Sequence, residues 1–339
     1  MRKAAITMAH GAGGQQTARL IKDIFAKHFA GSLLTADDAA VLPAAPAGTK
    51  LAMTTDGFIV SPWQFPGGNI GKLSICGTVN DLACMGALPK YLTCAFQIEE
   101  GFLLENLEKI VESMASTARE ADIELVAGDT KVAGHGQVDG IFITTTGMGW
   151  LLPKSRLSGS FARPGDAVIV SGDIGRHGAA ILLARNEFRI EAEIESDCAP
   201  LGKIAQKLVE SQTEHELHVL RDATRGGVGT VLHEIAEQSQ VGLEIETSAL
   251  PIAPAIKGLC GLLGLDALYL ACEGRMVIIA EEAFVPKVLS LLKEYAPSQE
   301  AALIGHITDQ HPGQVTMATE LGTQILLSPP SGELLPRIC

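Results

Sequence analysis

The sequence is short of aromatic residues, which make up 4% of its 339 positions, and of charged residues, which make up 19%. Basic side chains are fewer than acidic ones, 26 Lys and Arg against 39 Asp and Glu, and the formal net charge is −13. Nucleic-acid surfaces neutralise phosphates with clustered Lys and Arg, and no such cluster occurs here. The charge balance therefore argues against nucleic-acid binding, and any anionic ligand is expected to need a metal ion in order to bind.

Long apolar runs and a secretion signal are also missing. No run reaches the roughly 20 residues that cross a bilayer, and the N-terminal stretch MRKAAITMAHGAGG has no apolar signal-peptide core. We therefore expect a cytoplasmic protein that binds neither membrane nor nucleic acid. Hydrophobic residues at 47% and 36 glycines are typical of a turn-rich globular protein, and the length predicts about two domains.

The seven cysteines are odd in number and are never spaced as CxxC, which argues against a disulfide framework or a zinc site. Six of them lie in apolar segments and are most simply small buried hydrophobic residues. Cys339 is different because it is the last residue, and it follows SPPSGELLPRI. Pro and Gly favour an extended chain there, and eleven steps from Ser328 span about 35 Å. The pattern predicts a flexible tail, residues 328–339, that carries a thiol.

The rest of the chain falls into two blocks. Up to about residue 150, β-like runs such as LAMTTDGFIV and GIFITTTGMGWL mix with the helical pattern ENLEKIVESMASTAREA, without strict βα alternation. FARPGDAVIVSGDIGRHGAAILLAR begins a second block with a turn, a strand, a Gly-rich turn and a helix. These patterns predict an α+β protein with an N-terminal domain over residues 1–155 and a C-terminal domain over 156–327. The boundary is expected near residues 153–162.

Aspartates recur in small-residue contexts at the ends of apolar runs, where α/β-type proteins place their sites. They are Asp37, Asp38, Asp56, Asp81, Asp129 and Asp222. If several converge, each pair about 4 Å apart repels by up to ~4 kcal/mol at an effective dielectric of 20, so a cluster implies bound cations. Oxygen ligands favour Mg²⁺ over zinc, and Mg²⁺ commonly accompanies a nucleotide. The alternative is that each Asp caps a helix or closes a turn.

Glycine-rich segments and two further charged residues are also candidates. PGGNIGKL fails the phosphate-loop spacing, and HGAGG alone is weak evidence for a glycine loop around phosphate. Lys131 follows AGDT, which would place its ammonium beside a metal carboxylate and near a phosphate or an oxyanion. Glu273 lies between an apolar segment and a strand, where burial raises a carboxyl pKa toward that of a general base. Seen in isolation, each of the two is more often an ordinary surface charge.

Together the motifs resemble the HypE family of hydrogenase expression/formation proteins, the carbamoyl dehydratases of [NiFe]-hydrogenase maturation. The matching segments are AHGAGG, DDAAV, TTDGFIVSPWQFPGGNIGKLSICGTVNDLACMGA, AGDTKV, VSGDIGRHG, RDATRGGVG, CEGRMVI and LPRIC. They run from residue 8 to the last residue in similar order. The family belongs to the aminoimidazole-ribonucleotide-synthetase-like (PurM-like) superfamily of ATP-using enzymes. The resemblance implies a two-domain α+β fold, with a mixed or antiparallel sheet in the N-terminal domain, dimers built through that domain, and bound ATP and Mg²⁺.

The resemblance also implies a reaction. A HypF-type carbamoyltransferase would load Cys339 with a carbamoyl group, ATP-dependent dehydration would give a protein thiocyanate, and the cyanide would pass to iron on a HypC–HypD-type scaffold complex. An amide oxygen is a poor leaving group, so it must first become a phosphate ester. Mg²⁺ neutralises the transferring charge, and a base takes protons from nitrogen.

Motif matching implies a role for each candidate residue. Cys339 would carry the substrate, Lys131 would steady the oxygen that is phosphorylated, and Glu273 would be the base. The ATP contacts would be Gly11, Gly13, Gly14, Thr55, Asn80, Asp81, Asp129 and Asp222. The Mg²⁺ ligands would be Asp37, Asp38, Asp56, Asp81, Asp129 and Asp222. Ala36 stands where such motifs usually have Gly, which leaves open which of the two aspartates after it contacts metal.

Two other functions fit part of the pattern. Another ATP-using enzyme of the superfamily, thiamine-phosphate kinase-like or selenophosphate synthetase-like, would account for the aspartates but leave Cys339 without a role. The selenium enzymes also expect a reactive Cys or Sec near the N-terminus, whereas the first cysteine here is Cys76. A non-catalytic carrier would hold ATP for stability while Cys339 ferries a group, and it would consume no ATP.

Overall fold

A computed structural model describes residues 4–29, 31, 33–35, 39–187, 189–190, 192–319, 322–329, 335 and 337–339. A four-stranded and a seven-stranded β-sheet, each packed with helices, organise these residues. The α+β class predicted from the sequence is therefore confirmed. Within the described ranges, no helix combines the length and the apolar character needed to span a bilayer.

The N-terminal sheet is built by four long strands. They are β1 (Leu51–Phe58), β4 (Ala87–Glu99), β5 (Glu124–Ala133) and β6 (Ile141–Leu151), and a short ladder joins β2 (Gln64–Phe65) to β3 (Gly68–Asn69). The order is β1-β6-β4-β5, with antiparallel pairs except for the parallel pair β4–β5. Strands β1 and β5 are therefore opposite edges, separated by three strand spacings or about 14 Å.

The helices of this domain cover one face of the sheet. They are α1 (Gln15–Leu20), which continues through a π-helical turn (Ile21–Phe25) into α2 (Ala26–His28), and then α3 (Ile70–Cys84) and α4 (Leu104–Ala121). The side chain of Asn69 caps α3 by accepting the N–H groups of Gly71 and Lys72 at 2.9 and 3.1 Å. Most of α3 is buried because the helix lies between the sheet and the C-terminal domain.

The C-terminal sheet has the order β13-β12-β9-β11-β7-β10-β8. Its strands are β7 (Asp166–Val170), β8 (Leu217–Asp222), β9 (Gly242–Glu246), β10 (Met276–Glu281), β11 (Ala302–Thr308), β12 (Val315–Ala318) and β13 (Gln324–Leu326). Its helices are α5 (Arg176–Arg185), α6 (Gly202–Ser211), α7 (Gly227–Ser239), α8 (Pro254–Leu263) and α9 (Val285–Lys293). All of β7 is buried, and its alternate side chains enter two different apolar clusters. The sheet is thus covered on both faces.

The predicted domain boundary, residues 153–162, lies between the end of β6 and the start of β7, and the division itself stays a prediction. The site described below is at the junction of the two sheets, because α3 contacts both α6 and β8. Asp81 near the end of α3 and Asp222 at the end of β8 meet there.

The described end of the tail is docked against the N-terminal domain. The Ile59 N–H donates to the terminal oxygen of Cys339, and the Ser61 N–H donates to the carbonyl of Arg337, both at 3.2 Å. These two bonds hold the last three residues against residues 59–61, with Ile338 buried between them at 5% exposure. Residues 330–334 and 336 of the predicted tail lie outside the described residues.

Candidate active site

Three aspartates from different elements form one electrostatic cluster at the domain junction. Burial raises the pKa of Asp56 on β1, of Asp81 on α3 and of Asp222 on β8. Repulsion adds to it, since Asp81 raises the pKa of Asp56, and Asp81 and Asp56 together help to raise that of Asp222 to about 7. The Thr54 hydroxyl opposes the effect at Asp81 by donating to its Oδ2 at 2.8 Å. The predicted convergence of these three aspartates is what the geometry shows.

A bound cation fits this cluster. It would relieve the repulsion that raises the pKa values, and carboxylate oxygens are the ligands that Mg²⁺ prefers. Among the described residues, however, no group of three or more Asp, Glu, His or Cys side chains is already assembled as a metal site. Asp37 and Asp38, which would complete the predicted ligand set, lie outside the described residues.

A cavity of about 410 Å³ adjoins the cluster. Asp81 and Asp222 line it together with the basic residues Arg221 and Arg225 and with residues of β1, α3 and α7. Arg225 also lowers the pKa of Asp56, although burial dominates there. Carboxylates for a cation next to guanidinium groups for phosphate oxygens are a donor set that suits a metal-bound nucleotide.

Glu273 presents a buried carboxyl group with an unused oxygen. The residue is 2% exposed, and its Oε1 has no hydrogen-bond partner. Its backbone is fixed, because the Asp197 carboxylate accepts the Glu273 N–H at 3.2 Å. Burial raises the pKa of Glu273 well above its usual range, and Cys198 and Asp222 raise it further. The predicted general base is therefore a buried carboxyl group whose surroundings favour its protonated form.

The thiol of Cys339 reaches the same region from the tail. Burial raises its pKa, Glu273 raises it further, and Arg225 opposes the shift. The inward thiol is consequently in its neutral form, which is a poor nucleophile. Glu273 and Cys339, which are 66 residues apart in the sequence, thus lie within electrostatic reach of each other.

Asn80 has an internal structural role. It is 1% exposed, and its amide group donates to the carbonyls of Ala199 and Glu273 at 3.1 and 3.3 Å. Its Oδ1 accepts the Leu201 N–H at 2.7 Å. These bonds use the polar atoms of the Asn80 side chain to hold residues 199–201 and the backbone of Glu273. They argue against the predicted contact of Asn80 with ATP.

Thr55 faces away from the cluster. Side chains alternate along a strand, so Thr55 points to the opposite face of β1 from Thr54 and Asp56. Its hydroxyl donates to the carbonyl of Thr145 at 3.1 Å and lies 2.9 Å from the Thr146 hydroxyl. Within one chain Thr55 therefore does not reach the cavity beside Asp81, contrary to its predicted place in the nucleotide site.

The remaining predicted residues lie at the other edge of the sheet. Lys131 on β5 donates to Asp129 at 2.7 Å, both side chains are exposed, and the bond lowers the pKa of Asp129. Gly11 packs on the same strand so closely that a Cβ would lie 2.8 Å from the Val132 nitrogen. Gly13, with φ of +79°, and Gly14 continue this loop. In a single chain this group is separated from Asp56 by the width of the sheet.

Sequence reasoning missed three residues of the site. Arg225 stands inside the quoted motif RDATRGGVG, so its charge next to a glycine turn was a usable signal. Asp197 and His177 gave no local signal, because their roles depend on partners more than 70 residues away.

The chain matches the N-terminal domain of the AIR synthase related proteins over residues 36–151 and the C-terminal domain over residues 163–318. It is 43% identical to the carbamoyl dehydratase HypE of Rhodobacter capsulatus, over the whole of this chain and 99% of that protein. It is 44% identical to the carbamoyl dehydratase HypE of Escherichia coli strain K12, over 98% of this chain and 99% of that protein.

Solved structures resemble the fold over nearly its full length. A hydrogenase maturation protein HypE in complex with ATP is 43% identical, with a TM-score of 0.93 over 98% of this chain and 99% of that chain. HypE in a HypE–HypF complex is 44% identical, with a TM-score of 0.80 over 92% of this chain and 99% of that chain. A thiamine-monophosphate kinase from Stenotrophomonas maltophilia K279a is 22% identical, with a TM-score of 0.65 over 94% and 99%, and shares the fold alone.

Proposed function

Because the chain belongs to the carbamoyl dehydratase HypE family, within the AIR synthase related proteins, we propose that it converts an S-carbamoyl group on Cys339 into a protein thiocyanate with consumption of ATP. The thiocyanate would supply the cyanide ligand of the hydrogenase iron. The observation that carries the proposal is the unpartnered, buried carboxyl oxygen of Glu273 in the region where the docked tail holds the Cys339 thiol.

The site has to hold a nucleotide and a cation beside that thiol. When bound, Mg-ATP supplies the phosphoryl group that makes the carbamoyl oxygen a leaving group. Asp56, Asp81 and Asp222 would hold the cation, with Asp37 or Asp38 as further ligands. Arg225 would balance negative charge at the phosphorylated oxygen, because it acts on both Asp56 and the Cys339 thiol.

Glu273 would take the protons that leave the carbamoyl nitrogen. Asp222 and Asp56 are among the causes of its raised pKa, so a cation that neutralises them lowers that pKa. The base is then released from its proton only in the loaded site. The free Oε1 is the atom that would accept the N–H proton, and burial around it excludes water.

Lys131, Asp129 and the loop of Gly11, Gly13 and Gly14 require a second chain in this scheme. We propose a homodimer in which the β5 edge of one protomer lies near the β1 edge of its partner. Among the described residues neither edge pairs with a further strand, and β1 exposes Leu51 and Met53 at 54% and 72%. The loop glycines would then contact ATP in this composite site.

Two protein partners follow from the chemistry. A HypF-type carbamoyltransferase would load Cys339, and the solved HypE–HypF complex supports such a partner. The neutral, inward thiol is unsuited to attack, so the tail would leave the site to be loaded and return to be dehydrated. A HypC–HypD-type iron scaffold would then accept the cyanide.

Intact-protein mass spectrometry tests the function directly. The protein is incubated with a HypF-type carbamoyltransferase, carbamoyl phosphate and ATP, and we expect a carbamoyl adduct that loses the mass of one water only when ATP is present. Cys339→Ala should form no adduct. An adduct that persists unchanged with ATP would instead indicate a non-catalytic carrier.

A further inference from the structure

His177, near the start of α5, contacts the tail directly. The ring is completely buried, and its Nε2 lies 2.8 Å from the carbonyl oxygen of Ile338. Its Nδ1 lies 2.8 Å from the Ser196 hydroxyl. The edge-on ring of Phe65, 5.2 Å away, fills the space beside it. The imidazole therefore bridges the C-terminal domain to the last peptide group of the chain.

These contacts fix the tautomer of the imidazole. A carbonyl oxygen only accepts hydrogen bonds, so Nε2 must carry the proton and donate to Ile338. Nδ1 then accepts from the Ser196 hydroxyl, whose oxygen accepts the Cys198 N–H at 3.1 Å. Burial lowers the pKa of His177, which keeps the ring neutral, so that Nδ1 remains an acceptor and Nε2 remains the donor.

The bond from His177 to Ile338 adds a third hydrogen bond to the two that hold the end of the tail against residues 59–61. The carbonyls of Arg337 and Cys339 accept from the N–H groups of Ser61 and Ile59, whereas the Ile338 carbonyl between them bonds to His177. Without His177 that carbonyl would be a buried acceptor with no partner. The hydrogen bond from His177 to Ile338 therefore exists only while the end of the tail is docked in the position seen here.

The loop of residues 196–198 contacts the backbone of the proposed base and, through His177, the residue before Cys339. Asp197 in this loop accepts the Glu273 N–H, while Ser196 orients His177, which holds Ile338. The tail that carries the substrate and the backbone of the proposed base are thus both connected by hydrogen bonds to this one loop. Small shifts between such groups cost large factors in rate.

We propose that His177 is a positioning residue that latches the C-terminal tail inward and sets the placement of Cys339 relative to Glu273. Its catalytic consequence rests on the proposed function, but its effect on the tail does not. His177→Phe keeps the ring volume and removes the donor. His177→Gln restores a donor at the place of Nε2, and the exposed His306→Phe is the matched control.

The first experiment measures the rate at which iodoacetamide alkylates Cys339 in the unloaded, full-length protein without ATP. The other six cysteines are buried, so the folded protein reports on the tail alone. Losing one hydrogen bond of ordinary strength should raise the alkylation rate about tenfold in His177→Phe. The rate should stay near the parent value in His177→Gln and His306→Phe. If His177→Phe does not fold, Ser196→Ala, which frees the tautomer, should give a rise in the same direction.

The second experiment follows the loaded protein through one turnover with ATP. We expect His177→Phe to accept carbamoyl as readily as the parent but to dehydrate it about tenfold more slowly, with His177→Gln recovering most of the rate. Equal alkylation in folded His177→Phe and the parent would overturn the latch, as would equal loss of dehydration in the Phe and Gln variants. Faster alkylation in His177→Phe with no dehydration even in the parent would support the latch and reject the proposed function.

Discussion

Glu273 and the aspartate cluster are carboxyl groups in surroundings that disfavour their charge. Burial is the largest cause of the raised pKa at Glu273, Asp56, Asp81 and Asp222, and repulsion within the group adds to it at three of them. A fold that keeps such groups together loses stability unless a cation or a proton compensates. The raised pKa values are therefore a physical reason to expect a metal ion here, independent of any relative.

Replacing the proposed base should separate loading from dehydration. In Glu273→Gln the side chain keeps its shape but cannot accept a proton. We expect normal carbamoylation of Cys339 and a fall in the dehydration rate of at least 100-fold, which is the usual contribution of general base catalysis. Single-turnover mass spectrometry measures both steps, and dehydration at the parent rate would exclude Glu273 as the base.

Asp222 should make the metal-free protein less stable as the pH rises. Its pKa is about 7 in the folded protein, against about 3.9 in an unfolded chain. With a raised folded pKa, its contribution to stability is complete below pH 4 and is lost as the pH increases to 7. We expect the Tm without Mg²⁺ to fall across this window, and Asp222→Asn to reduce that fall.

Added Mg²⁺ provides the matching control for Asp222. At pH 7.5 it should raise the Tm of the parent protein and raise that of Asp222→Asn less, because one carboxylate ligand is gone. Identical pH profiles and identical Mg²⁺ shifts in the two proteins would contradict a cation site at this aspartate.

At the scale of elements, prediction succeeded where a helix or a strand has one wet face. The pattern of α4 is amphipathic, because residues such as Leu107, Ile110 and Met114 face the sheet while charged residues face water. The strands predicted from LAMTTDGFIV and GIFITTTGMGWL were confirmed as β1 and β6, along which burial alternates from residue to residue. Helix α3 was not predicted. It is buried on nearly all sides, so its sequence does not alternate between apolar and polar residues with the helical period of 3.6.

Asn80 links α3 to the loop before α6, and its loss should affect both stability and the base. Asn80→Ala leaves buried donors and acceptors at Ala199, Leu201 and Glu273 unpaired, at a cost of about 1–3 kcal/mol each. We expect a clear drop in Tm and a slower dehydration step. Asn106→Ala, at a half-exposed position of α4, should change neither quantity. A parent-like Tm in Asn80→Ala would show that the three hydrogen bonds of the Asn80 side chain contribute little to stability.

The docked end of the tail was beyond prediction from the sequence. The sequence predicted a flexible tail and its length. The site where the tail docks is made of residues 59–61 and of His177, which are between about 160 and 280 positions away. Arg337 illustrates the same limit, since it forms an ion pair with Asp139 and lies over the Phe142 ring, both about 195 positions earlier in the sequence. Local patterns carry no record of such contacts.

At the scale of the whole molecule, motif matching brought together residues that one chain keeps apart. Asp56 and Lys131 lie on opposite edge strands of the same sheet, about 14 Å apart by strand spacing. A one-dimensional motif list cannot distinguish a site within a chain from a site shared by two chains. Asp56 and Lys131 can therefore belong to one site, as predicted, only if the two residues come from different protomers.

Mixing two inactive variants tests this composite site. Asp56→Asn and Lys131→Ala should each abolish ATP-dependent dehydration while leaving the dimer intact by light scattering. After the two are unfolded together and refolded, random pairing should make about a quarter of the sites free of both substitutions, because they concentrate in the other site of each mixed dimer. Recovery of about that fraction of parent activity is the expected result. Mixed dimers without activity would place both residues in one chain's site, and a monomer in solution would exclude the shared site altogether.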